Sequence, residues 1–474
     1  MRSTFPFPLS AILAAATLAG CSSLGALKPS SPAVASSWYA TLPHGGSSSD
    51  PLAWWASFKD PTLEALLRMA ERENPTVQEA VANIDKARAT LDSTRSGLFP
   101  SLDGSASAGR EGNKGDDGDR LSAGTTKSGG LDASWELDLF GKTKNQARAA
   151  ASRVDGQVWS WHDARVSVAA EVGDDYVQYR ACRELERLYR NALASQTATI
   201  RATERSSQSG FTSAGDLALA RASAAASSSS LTAQRGECDI LIKSLAQLTG
   251  GDEPAVRRVL DQGRRRIPQP STVRIASVPA EALRQRPDII ALEAEVAAAI
   301  SDVGAAKADL YPSLILSGSI SISQSTVTGR SVPWSFGPAL SVPLLDGGSR
   351  RAAVRSAVAD YDIAVASYKS GVLNAVAEVE TALVRVDTAL RRISDARSAA
   401  ENYQRYFRSV DQNWAAGGVN ILDREEARRS AQSAAITLIE IRRDSVQYWI
   451  ALYKALGGGW STQVVSLSTS QGTN

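Results

Sequence analysis

The sequence is poor in the residues that build most catalytic and metal centres. Its 474 residues include only two histidines, three cysteines and two methionines, so we expect neither a metal site nor a Cys/His nucleophile. It also has no Gly-rich phosphate loop and no nucleophile elbow. The net charge is +2, with arginines scattered among acids, which argues against nucleic acid as a partner. These absences predict a protein that is not an enzyme and needs no cofactor.

Proline is missing from two long stretches of the chain. None of the 18 prolines lies between Pro100 and Pro254, and none follows Pro343. Because a proline inside a helix costs about 3 kcal/mol, these stretches are free to form very long helices. No segment after the N-terminus has about 18 consecutive apolar residues, so no membrane-spanning helix is predicted.

The N-terminus has the pattern of a processing signal. Arg2 precedes a short apolar run, Leu9 to Leu18, which ends in Leu18-Ala19-Gly20-Cys21. This order resembles the bacterial lipobox and predicts a signal peptide over residues 1–20 and a lipid, such as palmitate, on Cys21. An ordinary signal peptide with an incidental cysteine is the alternative. Residues 21–60, rich in Ser, Pro and Gly, are expected to form a tether.

The rest of the sequence contains one long internal repeat. Residues 94–102 (TRSGLFPSL) correspond to residues 306–314 (AKADLYPSL), and residues 134–141 correspond to residues 341–348. This period is far longer than a solenoid unit and indicates a duplicated half-protein. The halves are predicted over 61–250 and 281–458, with a proline-containing linker over 251–280 and a tail over 459–474.

The residue pattern of each half predicts two strands that together form a hairpin. The clearest alternates apolar residues from Leu314 to Ile322 with serines from Ser317 to Ser323. The predicted strands are 101–108, 131–139, 313–323 and 334–345, with exposed loops over 109–130 and 324–333. About ten residues is the length of a transmembrane strand with one side to lipid and one to a lumen, although a soluble sandwich is an alternative. Four strands cannot close a barrel in lipid, so several chains must contribute.

Each half then predicts a long helical hairpin, over 141–250 and 348–457. Apolar residues recur with the alternating steps of three and four that are typical of coiled coils. A helix of about 65 residues is about 100 Å long. The hairpins turn at Gly210 and at Gly417-Gly418. Cys182 and Cys238 each lie 28 residues from Gly210, so they would be level in the first hairpin. A disulfide is then expected in an oxidising compartment, with two free buried thiols as the alternative.

The ordered and duplicated motifs resemble the outer membrane factors, the TolC-like channels, and within them the lipoprotein branch of NodT-like efflux proteins. The motifs that carry this resemblance are Leu18 to Cys21, Trp135 to Gly141, Arg286 to Asp288, Tyr311 to Leu314 and Ser341 to Gly348. The resemblance covers residues 20–460. It implies a mainly helical chain with membrane β-structure: a homotrimer whose 12-stranded β-barrel, four strands from each chain, continues into a coiled-coil α-barrel.

The resemblance also implies partners and a gate. A periplasmic adaptor (membrane fusion protein) would contact the hairpin tips at Gly210, Gly417 and Gly418, and an inner-membrane transporter would supply the energy. Family members close the periplasmic end with acidic rings, which match Asp423 and Glu426 here. These two residues are three apart and share one helix face. The alternative is a solvated first turn, where acids suit the helix dipole.

The function predicted from this resemblance is a passive outer-membrane exit channel of a tripartite, RND-type efflux pump for drugs or other small molecules, with a part in antibiotic resistance. Two alternatives remain open. One is an exit duct for type I protein secretion. The other is a lipoprotein scaffold without a pore, which would not need the alternation from Leu314 to Ser323.

Overall fold

A computed structural model describes residues 54–114, 121–263, 266–270, 283, 286–326 and 328–458. The predicted signal peptide, the lipidation site Cys21, most of the tether and the C-terminal tail lie outside the described residues. Among the described residues, every helix is too short or too polar for a membrane crossing.

The two halves of the described chain have similar series of elements. The first half contains α1 (Pro61–Glu73), α2 (Pro75–Ser96), β1 (Ser101–Lys114), β2 (Leu121–Leu137), α3 (Lys142–Gln208), α4 (Ala214–Thr249) and α5 (Glu253–Asp261). The second half contains α6 (Pro287–Ala308), β3 (Ser313–Ser325), β4 (Gly329–Ser331), β5 (Trp334–Ser341), α7 (Ser349–Ala415) and α8 (Ile421–Ala455). The helices α3 and α7 thus follow the second long strand of each half and fill the stretches without proline.

The elements lie side by side in a fixed lateral order. The sheet has the order β1-β2-β3, with β4 and β5 both on the free side of β3. Next to the sheet, the helices that contact each other have the matching order α2-α3-α6-α7. Towards the hairpin tips the order becomes α4-α3-α8-α7. Strands and helices therefore form one continuous wall with α7 along one side.

Residues 54–60 attach the end of the predicted tether to this wall. The Trp54 ring stacks on Tyr453 at 4.5 Å and meets Phe58 edge-on. Gly173 of α3 makes room for the neighbouring Trp55, since a Cβ there would lie 2.6 Å from the Trp55 ring. Asp60 then caps α1. The chain is therefore held at the side of α3 before α1 begins.

The structure corrects the prediction of an exposed loop over residues 109–130. β1 continues to Lys114 and β2 begins at Leu121, so both strands are longer than predicted. The register pairs Arg110 with Thr125 and Lys114 with Leu121. Gly, Ser and Asp are weak strand formers, but the antiparallel backbone ladder does not depend on their side chains.

The second hairpin and the linker also differ from the prediction. β5 ends at Ser341 rather than at residue 345, and the predicted loop over 324–333 contains β4. Pro333 separates β4 from β5 because it has no N–H for the ladder, although its carbonyl accepts from the Ser321 N–H at 3.0 Å. The linker predicted over 251–280 contains the helix α5, where Pro254 lies in the first turn and is tolerated.

Candidate functional site

The sheet has one apolar face and one hydroxyl-rich face. On the first, Ile320 lies opposite Trp334, Gly318 opposite Phe336 and Leu314 opposite Leu340. Trp334 is 75% exposed and Phe336 is 76% exposed, so these large rings have little cover within the chain. An apolar face of this kind suits contact with lipid.

The opposite face of the sheet presents small polar side chains in register. Ser319 hydrogen-bonds to Ser335 with 2.9 Å between the hydroxyl oxygens, and Ser107 bonds to Ser128 at 2.8 Å. Asp132 lies between Asp103 and Ser319 on neighbouring strands. This face suits contact with water. The sheet can therefore separate lipid from an aqueous path.

The two hairpins end in the same kind of turn at the far end of α3 and α7. Gly210 has φ +80° and Gly417 has φ +79°, a conformation that favours glycine. Ser213 and Asp216 then form a capping box at the start of α4. At the start of α8, Asn420 accepts a hydrogen bond from the Asp423 N–H at 2.8 Å. The predicted tip glycines thus lie at the apex of each hairpin.

The predicted gate residues lie on the exposed side of the first two turns of α8. Asp423 and Glu426 are both exposed, and Glu426 forms an ion pair with exposed Arg429. Asp216, at the equivalent position of the first hairpin, accepts hydrogen bonds from the Ser213 hydroxyl at 2.8 Å and from its N–H at 3.3 Å. The acidic pair is therefore solvated on the second hairpin, while the single acid of the first is a capping group.

The opposite face of the same α8 turns carries a buried ionic network that the sequence reading did not identify. Arg424 is 5% exposed and Glu425 is 4% exposed. Arg424 pairs with Asp411 at 2.7 Å and Glu425 pairs with Arg428 at 2.9 Å. The Arg424 guanidinium also lies 4.7 Å from the Trp414 ring centre. The two arginines and two carboxylates balance in charge, as buried ions require.

This network joins the two hairpins of one chain. The Arg424 Nη1 donates to the Thr199 hydroxyl at 2.8 Å. The Gln196 amide donates at 2.6 Å to Glu425 Oε2, the oxygen that also accepts from Arg428, and Gln196 is fully buried. Thr199 and Gln196 belong to α3 and Glu425 belongs to α8. The first turns of α8 are therefore fixed against the first hairpin by charge-assisted hydrogen bonds, which are stronger than neutral ones.

Cys182 and Cys238 are joined to each other in the first hairpin. Their sulfur atoms are 2.05 Å apart and their Cα atoms 5.6 Å apart, which links α3 to α4. One turn further along α3, the buried carboxylate of Glu186 pairs with Arg183, Arg190 and Arg235. Burial alone would raise the pKa of Glu186, but these arginines outweigh it and lower the pKa. The first hairpin is thus cross-linked by both a covalent and an ionic contact.

Comparison with known proteins gives one consistent result. Residues 66–251 and 278–458 match the family described as outer membrane efflux protein. The chain is 30% identical to nodulation protein T of Rhizobium leguminosarum bv. trifolii over 418 residues, which is 86% of this chain and 88% of that protein. It is 28% identical to the solvent efflux pump outer membrane protein SrpC of Pseudomonas putida over 424 residues, 85% and 87% of the two chains. Among solved structures, the outer-membrane channel OprN matches with a TM-score of 0.77 at 28% identity, covering 91% of this chain and all of OprN.

Proposed function

The chain belongs to the outer membrane efflux protein family, and we propose that it is the outer-membrane exit channel of a tripartite efflux pump. It conducts small molecules passively out of the periplasm. A large part of the chain lies in the periplasm, since no helix of the described residues could cross a membrane and the sheet has a face that suits lipid. SrpC, a relative of this chain, is a solvent efflux protein, and its name supports small amphipathic molecules as the exported class.

The observation that carries the proposal is the continuity of the two-faced sheet with the long helices. β2 leads into α3 and β5 leads into α7, and each of these helices has 67 residues. At 1.5 Å per residue, such a helix extends about 100 Å from the sheet. A protein with one lipid-facing sheet at one end and so long a helical wall suits a duct that crosses both the outer membrane and much of the periplasm.

Three chains are proposed to close the wall into a tube. The sheet of one chain has four strand positions, since β4 and β5 share one, and it ends on β1 and β5. Twelve positions from three chains would form a closed barrel without open edges, as lipid requires. Several exposed apolar residues lie on one broad face of α7, at intervals of about three or six turns, and would pack on the next chain: Ile363, Leu373, Val384 and Tyr406.

The tips are proposed to bind the other parts of the pump. A periplasmic adaptor would contact the apexes at Gly210, Gly417 and Gly418, and an inner-membrane transporter of the RND type would supply the energy. The exposed carboxylates Asp423 and Glu426, repeated by three-fold symmetry, would line the periplasmic entrance. These assignments have the support of the tip geometry and of the family to which the chain belongs.

The function is tested with the purified full-length protein. In detergent it should have the mass of a trimer, and in planar bilayers it should open ion-conducting channels. Deleting the gene should raise the sensitivity of the cell to small toxic compounds, and the intact gene should restore resistance. A non-conducting monomer would overturn the proposal, whereas lost secretion of a protein with unchanged sensitivity would favour type I secretion.

All three cysteines of the mature protein are predicted to be modified. We propose a lipid on Cys21 and a disulfide between Cys182 and Cys238, which the oxidising periplasm favours. Alkylation of the denatured, unreduced protein should then label no thiol. Cys21→Ala should abolish lipid labelling, and Cys182→Ser should release one alkylatable thiol at Cys238. Two labelled thiols in the wild-type protein would contradict the disulfide, and lipid retained by Cys21→Ala would contradict the anchor.

A further inference from the structure

We propose that Asp360 on α7 forms an ion pair with Lys86 on α2 of the next chain, and that this pair selects the correct contact between chains. We call this contact of α7 with the next α2 the seam. The proposal rests on the proposed function, which arranges three copies of the chain around one tube. It adds the helices and residues that meet, and a reason why a chain with two similar halves does not exchange them with its neighbour.

The helices of the two halves match residue for residue. The helix α2 begins at Pro75 and α6 begins at Pro287, and each has 22 residues. The helix α3 begins at Lys142 and α7 begins at Ser349, and each has 67 residues. The observed contact of α3 with α6 can therefore be carried over, position by position, to the seam between α7 and α2.

One face of α2 lacks the cover that the same face of α6 has. The helix α6 packs against both α3 and α7, whereas α3 is the only long helix of the described residues that packs against α2. Gly156 of α3 lies beside Ala294 of α6, since an added Cβ would be 3.5 Å from the Ala294 Cβ. Ala298, one turn further along this face, is fully buried. The equivalent residues on α2, Ala82 and Lys86, are both exposed. By this equivalence, the missing cover of α2 is the α7 of another chain.

Within one chain, the contact of α3 with α6 has a base on one side and two acids on the other. Arg153 of α3 pairs with Glu295 of α6 at 3.1 Å and with Asp302 of α6 at 2.6 Å. The two acids are seven positions apart and therefore share one helix face. The α3 side of this contact is thus positive and the α6 side is negative.

The signs of the charges are reversed at the equivalent positions of the seam. Asp360 of α7 corresponds to Arg153, so an acid replaces the base. On α2 the two acids are replaced by Asn83 and Thr90, and Lys86 lies between them on the same face. Lys86 and Asp360 are exposed, and within the described part of the chain neither forms an ion pair. Two complementary charges are therefore available for each other where two chains meet.

The side chains around this pair also complement each other in size. Ile363 of α7 corresponds to Gly156 and is 63% exposed. At the seam it would lie opposite Ala82, so a large side chain meets a small one. The isoleucine sets α7 and α2 further apart than α3 and α6, and the long Lys86 side chain spans this distance where α6 has the short Ala298. The reversed charge and the larger spacing therefore agree.

The reversed signs also oppose the wrong combination of halves. If α7 took the place of α3 on α6, Asp360 would face Glu295 and Asp302. If α3 took the place of α7 on the α2 of another chain, Arg153 would face Lys86. Like charges in such contacts repel and suppress wrong partners. The pair of Asp360 with Lys86 thus favours the seam over an exchange of halves between chains.

The first test reverses each charge, and then both, in the full-length protein. Lys86→Glu and Asp360→Lys should each lower the temperature at which the trimer dissociates in detergent by about 5 °C, because like charges then meet at every seam. The double variant should recover most of this loss. Asp362→Lys makes the same change on another exposed face of α7 and should dissociate like the wild type. Single variants that dissociate like the wild type, or a double variant without recovery, would contradict the pair.

A second test asks whether the pair selects the neighbouring chain. Wild-type and double-variant chains with different affinity tags are produced in the same cell. Every contact between the two kinds of chain would bring like charges together, so mixed trimers should be at least about threefold rarer than with two differently tagged wild-type chains. Equal frequencies of mixed trimers would show that these charges do not select the neighbour.

A cross-link tests the position of the two residues and separates this inference from the proposed function. A chain with both Lys86→Cys and Asp360→Cys, treated with a short bismaleimide, should give covalent dimers and trimers, because α2 and α7 lie on opposite sides of one chain's wall. If the wild type is a conducting trimer but the treated variant stays monomeric in a denaturing gel, the inference is wrong and the function stands. A wild-type protein that neither assembles nor conducts would overturn the function and the seam together.

Discussion

Replacing Glu425 by alanine should destabilise the periplasmic end of the protein more than any single exposed substitution nearby. Glu425 is the buried carboxylate between Arg424 and Arg428, and it also accepts from Gln196. Without it, Arg424 keeps only Asp411, whose side chain is 44% exposed, and Arg428 loses the carboxylate that it pairs with. Removing one partner of a buried ion pair costs about 3–5 kcal/mol, because the remaining charge has lost both its water and its counter-ion.

The neighbouring residue provides a matched control. Glu426→Ala removes the same side chain one position further on, from the exposed face, where the loss is expected to be within about 0.5 kcal/mol. Melting temperatures of the detergent-solubilised protein should separate the two variants. Amide hydrogen exchange should increase in Glu425→Ala at both α3 and the start of α8, since the network joins them. Equal melting temperatures and exchange in the two variants would show that the network contributes nothing.

A second variant separates charge from packing. Glu425→Gln keeps the size of the side chain and one hydrogen-bond acceptor but removes the negative charge. It should fall between the wild-type protein and Glu425→Ala, because Gln196 would keep a partner while Arg428 would lose its counter-ion and Arg424 would keep only Asp411. A Glu425→Gln variant as stable as the wild type would indicate that hydrogen bonding, rather than charge, holds the hairpins together.

The helical spacing of the residues around Glu425 indicates a buried face, although several of these residues are charged. Ile421, Arg424, Glu425, Arg428 and Ala431 recur at the spacing of one helix face, and all five are buried. Arginine and glutamate are rarely buried unless they are paired. Here the charges pair with one another and with Asp411, but the polar groups that complete the network come from α3, more than 220 residues earlier in the chain. Such pairing depends on which helices become neighbours, and periodicity within one helix cannot supply it.

The strands likewise differ in whether their own residues are enough to predict them. The alternation from Leu314 to Ser323 predicts a two-faced strand because its apolar residues strongly favour one face. Residues 109–114 and 122–130 are small or polar and have no such preference, so their pairing follows from the ladder that the neighbouring residues begin. The tip glycines and the prolines act locally, by φ angle and missing N–H, and so can be placed from the sequence alone.

Replacing both Asp423 and Glu426 by alanine should raise the single-channel conductance severalfold and reduce cation selectivity. In the proposed trimer the two residues repeat three times around a narrow axis, where crowded carboxylates attract cations and oppose anions. Both are exposed and lie on the face away from the buried network, so the double variant should fold with a near-normal melting temperature. Reversal potentials in a salt gradient, measured with the purified protein in planar bilayers, report the change in selectivity.

Two matched variants show whether this effect belongs to the gate. Asp216→Ala removes the carboxylate at the equivalent position of the first hairpin, where it caps α4, so it should cost about 1 kcal/mol of stability and leave conductance unchanged. Arg429→Ala frees Glu426 from its ion pair and should therefore increase cation selectivity. The buried network around Glu425 holds the same two turns of α8 that carry Asp423 and Glu426. Glu425→Ala should therefore let these two carboxylates move away from the axis and raise conductance, although both remain charged. If the double variant conducts like the wild type while Glu425→Ala conducts more, the constriction is made by the position of α8 and not by its acidic residues.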